Sequence, residues 1–140
     1  MISNKIASKN LGAFAFICIV GMLLFACSRE QALPINASIL FEKTTHDFGE
    51  IPRKKEALTV FNFENTSEHP LVIKDVKTSC GCAAPAWSKE AISPSKSGTI
   101  TVTYDAEYPG KFSKTVTVYY NGKDSPKQLT IKGQVPYPNN

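Results

Sequence analysis

From Ile39 onward, apolar residues recur at every second position, and this regularity limits the fold more than any other feature of the chain. Thr59, Phe61 and Phe63 alternate with Leu58, Val60 and Asn62. Ile100, Val102 and Tyr104 alternate with Thr99, Thr101 and Thr103. Phe112, Val116, Val118 and Tyr120 share one parity, with Ser113, Thr115, Thr117 and Tyr119 on the other, and Leu129, Ile131 and Val135 repeat the pattern. Period two turns one face of an extended strand to a core and the other to water. The breaks carry turn chemistry: Phe48-Gly49, Glu68-His69-Pro70, Ser93 to Gly98, Tyr108-Pro109-Gly110 and Asn121-Gly122. No stretch of this region has a helical period. The expectation is an all-β body over 39–137, an antiparallel β-sandwich of about seven strands.

The first 38 residues have a different character. Lys5 and Lys9 precede LGAFAFICIVGMLLFA, an uncharged run at 11–26, and Cys27 follows. A basic start and a short apolar core read as a secretory signal over residues 1–26. Leu24-Phe25-Ala26-Cys27 resembles the bacterial lipobox, with a Leu three places before the cysteine and a small residue directly before it. By that resemblance Cys27 becomes the acylated N-terminus after cleavage. Residues 27–38 have no periodicity and read as a flexible tether. The expected location is the cell envelope, with the domain facing the periplasm or exterior. Ser28 after Cys27 offers no inner-membrane retention signal, which favours the outer membrane.

Charge excludes one class of partner. The chain has 16 Lys and Arg against 12 Asp and Glu, and loss of Lys5 and Lys9 with the signal leaves 14 against 12. Such a balance gives no electrostatic case for nucleic acid.

Of four cysteines, Cys18 lies in the signal and Cys27 is taken by lipid. Cys80 and Cys82 remain, separated by Gly81 in TSCGCAAPAW, in an oxidising compartment. Three readings stand. In a regular strand the Cα atoms of i and i+2 are ~6.6 Å apart, near the upper limit for a disulfide, and Gly81 lets the backbone contract. The pair is then a disulfide or redox couple. As two thiolates it is a soft-metal clip for copper or zinc, for which His46 and His69 are the remaining imidazoles and residues 27–140 hold no methionine. As small hydrophobes the two cysteines are scaffold beside Trp87.

The string from Phe41 to Val135 resembles the bacterial family called domain of unknown function 1573, an immunoglobulin-like module frequent in lipoproteins of Bacteroidetes-type bacteria. His46-Asp47-Phe48-Gly49, Phe61 and Phe63 before Asn65-Thr66, Thr78-Ser79-Cys80-Gly81-Cys82, Pro85 with Trp87, Gly110-Lys111-Phe112 and Ile131-Lys132-Gly133 carry the likeness. Ala83 stands where the family often has Thr, and Pro94-Ser95 where it often has Pro-Gly. The resemblance implies an immunoglobulin-like fold and an envelope location, and no chemistry.

The remaining motifs read as structure. Asp47-Phe48-Gly49 lacks every companion of a kinase site. No nucleophile, base and acid fall in an informative order. Arg53-Lys54-Lys55 reads as a solvated turn, with anionic headgroups as the alternative contact. The expectation is a lipid-anchored, non-enzymatic domain without a cofactor. It would bind an envelope protein or glycan through loops and edge strands, with thiol-redox or soft-metal handling by Cys80 and Cys82 as the competing function.

Overall fold

The computed structural model describes residues 36–138. The apolar leader, Cys27 and the tether up to residue 35 lie outside the described residues.

Eight strands form: β1 (Ile39–Phe41), β2 (Thr45–Glu50), β3 (Ala57–Asn65), β4 (Ile73–Thr78), β5 (Ala83–Trp87), β6 (Ser97–Tyr104), β7 (Gly110–Tyr120) and β8 (Lys127–Val135). They make two four-stranded sheets, ordered β1-β3-β6-β5 and β2-β8-β7-β4. The alternating residues define the space between them. Phe61 and Phe63 from β3, Ile100 and Val102 from β6, Val116 and Val118 from β7, and Leu129 and Ile131 from β8 are all buried. Tyr104 stacks on Phe112 across the core, with ring centroids 4.0 Å apart.

The strand count exceeds the expected seven because the first edge strand is split. β1 runs antiparallel to β3 in one sheet. The chain then crosses over at residues 42–44 and continues as β2, which pairs parallel with β8 in the other sheet. The sandwich is therefore antiparallel except along this edge. Phe48-Gly49, expected as a break, lies inside β2. Gly49 has φ +65° at a register shift between Asp47 and Glu50, which makes the site a bulge. Its N–H donates to Asp47 Oδ1 at 2.9 Å.

Asn121-Gly122 joins β7 to β8 as expected, for a different reason. Asn121 is buried, and its side chain accepts from Val72 N at 2.8 Å and donates to Pro70 O at 2.9 Å. Gly122 is needed for close approach: a methyl there would overlap the Tyr120 ring and the Ala37 carbonyl. The end of the tether also packs down. Ala37 is buried and its N–H donates to Asn121 O at 3.2 Å. The body therefore begins before residue 39.

Candidate functional site

Consecutive strands β4 and β5 lie at the edges of different sheets, so the chain must change layer between Thr78 and Ala83. The four residues that do so are Ser79, Cys80, Gly81 and Cys82. The single Thr78 Oγ1 hydrogen is shared between the carbonyls of Cys80, at 2.7 Å, and Ala83, at 3.1 Å, which closes the corner from inside. Ser79 N donates to Thr115 O at 3.0 Å, and Thr115 N donates to Ser79 Oγ at 3.1 Å. On the other side, Cys82 O accepts from Asp105 N at 3.1 Å. The corner is thus tied to β7 of one sheet and to the residue after β6 of the other.

Cys80 and Cys82 are joined by a disulfide, with Cα atoms 5.3 Å apart. The contraction from strand spacing follows from the turn. Gly81 does not supply it through a left-handed conformation, since its φ is not positive. It is exposed, and a side chain there would meet nothing within 4 Å. Both cysteines are half-buried and rest against the core.

Of the sequence readings, the disulfide is the arrangement present. Bonded sulfurs are not thiolates and offer no metal-ligand pair. His46 lies on β2, where its ring meets Phe48 edge-on with centroids 4.5 Å apart, and His69 lies in the β3–β4 loop. Among the described residues no group of three or more His, Cys, Asp or Glu is placed to hold a metal ion. Trp87 is not beside the cysteines: it ends β5, five residues and ~16 Å of strand beyond Cys82. Lys89 Nζ sits 3.3 Å from the Trp87 ring centroid.

Lys114 was hidden by the alternation. It occupies an even position of β7, in the inward series of Phe112, Val116 and Val118, and is half-buried. Its ladder partner is the fully buried Ile131. The next residue, Thr115, is the one bonded to Ser79 of the cysteine corner, and Lys114 forms no ion pair among the described residues. The signal was a lysine breaking an apolar series, where a long stem covers core while its ammonium reaches the rim.

The outer faces of the sheets differ. On β1-β3-β6-β5, the pairings align Leu58 with Thr103 and Ala84, and Val60 with Thr101 and Ala86. These two rows carry no charge, and Leu58 is 60% and Val60 37% exposed. The opposite sheet presents Asp47, Lys77, Lys111 and Lys132, with Lys132 Nζ 3.5 Å from Asp47 Oδ2. Arg53-Lys54-Lys55 is a bonded turn: Arg53 Nε donates to Glu107 O at 3.2 Å and Lys54 N to Ala106 O at 3.0 Å.

Local surroundings shift the titration of several groups. Partial burial lowers the pKa of His46, Lys43 adds to that, and Asp47 opposes it. The Gly49 N–H is the main cause holding Asp47 below the usual carboxylate range, with Lys132 helping. Burial, then Asp105, raises the Tyr104 phenol.

Two four-stranded sheets with a disulfide-clipped corner between them define an immunoglobulin-like β-sandwich domain. The chain belongs to the family described as "Protein of unknown function (DUF1573)", whose model matches residues 39–135. No curated protein matches the chain. Solved structures share the fold at low identity. A protein of unknown function from Porphyromonas gingivalis W83 is 12% identical with a TM-score of 0.63, over 75% of this chain and 50% of that one. The chain thus spans about half the length of that relative. The ASH / PapD-like domain 7 of human CEP192 is 7% identical with a TM-score of 0.63, over 79% of this chain and 94% of that domain. The secreted serine protease VesC of Vibrio cholerae is 11% identical with a TM-score of 0.51, over 72% of this chain and 23% of the protease. At these identities the likeness is one of fold alone.

Proposed function

We propose that the chain is a non-enzymatic binding domain, held at the outer membrane by acyl chains on Cys27, that docks a protein of the cell envelope. The observation that carries this reading is the pair of uncharged rows on the outer face that hold Leu58 and Val60. Aliphatic side chains left on water gain by being covered, at about 25 cal/mol per Å². Rows without charge favour an uncharged partner surface, because a charge pressed onto them would be desolvated with no counter-charge.

The sheet edges suit this role less well than the face. β1 has three residues, β2 is bulged at Gly49, β4 carries Lys74, Asp75 and Lys77, and β5 contains Pro85. These are the features that discourage pairing with another strand. Anchoring follows from the lipobox resemblance. Each buried methylene of an acyl chain favours insertion by ~0.8 kcal/mol, and several chains together hold firmly.

The test is a photo-crosslinking residue placed at Val60 or, on the opposite sheet, at Thr117, in cells. The Val60 probe is expected to give one protein adduct that Leu58→Glu abolishes, with none from Thr117. Equal adducts from both faces, or an adduct with glycan, would refute the docking face. Cys27→Ser is expected to move the protein from the membrane to the soluble fraction. Unchanged fractionation would refute the anchor.

A further inference from the structure

We propose that the Cys80–Cys82 disulfide is a thiol–disulfide exchange site that oxidises dithiol proteins, with Lys114 as the cation that favours the thiolate released in the loop. This goes beyond the docking reading and does not depend on it: the exchange is stoichiometric, one dithiol oxidised per loop, and is not a catalytic turnover. Three observations converge. First, the corner is closed without sulfur, by Thr78 Oγ1, the paired Ser79–Thr115 bonds and the Cys82–Asp105 bond. A bond that the fold does not need is one the fold can open and reclose. Second, the loop is approachable: Gly81 is exposed, with nothing within 4 Å of where a side chain would stand. Third, the residue bonded to Ser79 at the corner is Thr115, whose chain neighbour is half-buried Lys114, so a cation stands one residue along β7 from the point where the loop is fastened. A neighbouring cation lowers a thiol pKa and makes the loop sulfur a better leaving group.

The exchange balances within the two proteins. A thiolate of the partner attacks one loop sulfur and forms a mixed disulfide. The Cys80–Cys82 bond breaks, and its electron pair leaves on the other loop sulfur, which becomes a thiolate and takes up a proton. The partner's second thiol loses its proton, attacks the mixed disulfide and releases the loop as a dithiol. The net change is loop disulfide plus partner dithiol giving loop dithiol plus partner disulfide. Two electrons and two protons pass to the loop.

Among titratable groups, Asp105 is bonded to the loop through its backbone N–H, Tyr104 is the ladder partner of Ala83 just after the loop, and Lys114 on β7 is next to the Thr115 that holds Ser79. Of these, Lys114 is the one whose charge favours a thiolate at neutral pH.

The experiment uses the full chain in detergent with a reduced Cys-x-x-Cys peptide as probe. Rapid acid quench, alkylation and mass measurement follow both partners. Stoichiometric transfer is expected, with the peptide oxidised as the loop is reduced and the circular dichroism spectrum unchanged. The Cys80→Ser, Cys82→Ser double variant is expected to keep that spectrum and transfer nothing. A loop that stays oxidised in excess peptide, or that unfolds the domain once reduced, would overturn the proposal. Lys114→Gln is expected to slow alkylation of the reduced loop at neutral pH by about fivefold, and to move its pH profile upward. Lys114→Arg restores both. Identical profiles for wild type and Lys114→Gln would remove Lys114 from the site.

Discussion

Ser79 and Thr115 hold each other twice, backbone to backbone at 3.0 Å and backbone to side chain at 3.1 Å. The pair fastens the inter-sheet corner to the middle of β7, one residue before the disulfide begins. The chain therefore changes layer on hydrogen bonds that would remain if the sulfurs were separated.

A weak contribution of the disulfide to stability follows. Cross-linking gains stability by restricting the unfolded chain, and the gain grows with the loop closed. Here the loop is three residues, Cys80 to Cys82, for which the chain-entropy relation gives about 1.6 kcal/mol. The double serine variant is expected to lose about 1–2 kcal/mol in urea unfolding and to remain folded. Thr78→Val, which strips two carbonyls of their donor, is expected to cost as much, about 1–3 kcal/mol. A disulfide loss far larger than the Thr78 loss would contradict this ranking.

Gly133 sets the packing of the far end of the core. A methyl there would lie 2.8 Å from Phe112 Cζ and 2.9 Å from Gly49 O. The carbonyl belongs to a backbone fixed in the β2 bulge and cannot swing aside, while Phe112 is stacked on Tyr104. Gly133→Ala is therefore expected to destabilise by about 1–3 kcal/mol, read as a lowered thermal midpoint. Gly81→Ala, which adds a methyl in open space, serves as the control and is expected to change it little.

The alternation made the long strands legible because period two is set by burial, and burial is what the core enforces. β3, β6, β7 and β8 were readable for that reason. β5 was not, since Ala83-Ala84-Pro85-Ala86 has little size contrast between its faces. β2 was masked by Gly49, which reads as a turn and is a bulge. The cysteine pair was visible as chemistry, but its place at a layer change was not, because which sheet a strand joins depends on contacts far along the chain. Lys114 is not legible as part of a site because charge in an apolar series looks like interruption.

Asn65 is the buried polar group on which the β3–β4 loop depends. It is fully buried. Its Nδ2 donates to His69 O at 2.8 Å and Ile92 O at 2.9 Å, and its Oδ1 accepts from Ser67 N at 3.0 Å. Asn65→Ala removes one donor each from the carbonyls of His69 and Ile92, which keep Ser67 Oγ and Leu71 N, and leaves Ser67 N without its acceptor; it is expected to cost about 1–3 kcal/mol. Asn65→Asp is expected to be worse at neutral pH, where a carboxylate would face two carbonyl oxygens, and to recover partly in acid. Its protonated form can still donate one bond. Urea midpoints of both variants at neutral and acidic pH check the order. An aspartate variant insensitive to pH would contradict it.

His46 makes stability depend on pH in a stated direction. Partial burial first, and Lys43 second, lower its folded pKa below the ordinary 6.5, with Asp47 pulling the other way. The unfolded chain then binds the proton more readily than the folded one. Stability therefore rises with pH through the window just below 6.5, and falls as pH drops from that value toward the folded pKa. Asp47, whose folded pKa is held below its ordinary 3.8 mainly by the Gly49 N–H, contributes above that value and loses its contribution as pH falls through the folded one. His46→Gln should flatten the upper segment and leave the lower, while Asp47→Asn should do the reverse. Thermal midpoints followed from neutral to strongly acidic pH separate the two segments. Parallel curves for wild type and His46→Gln would show that the imidazole takes its proton equally in both states.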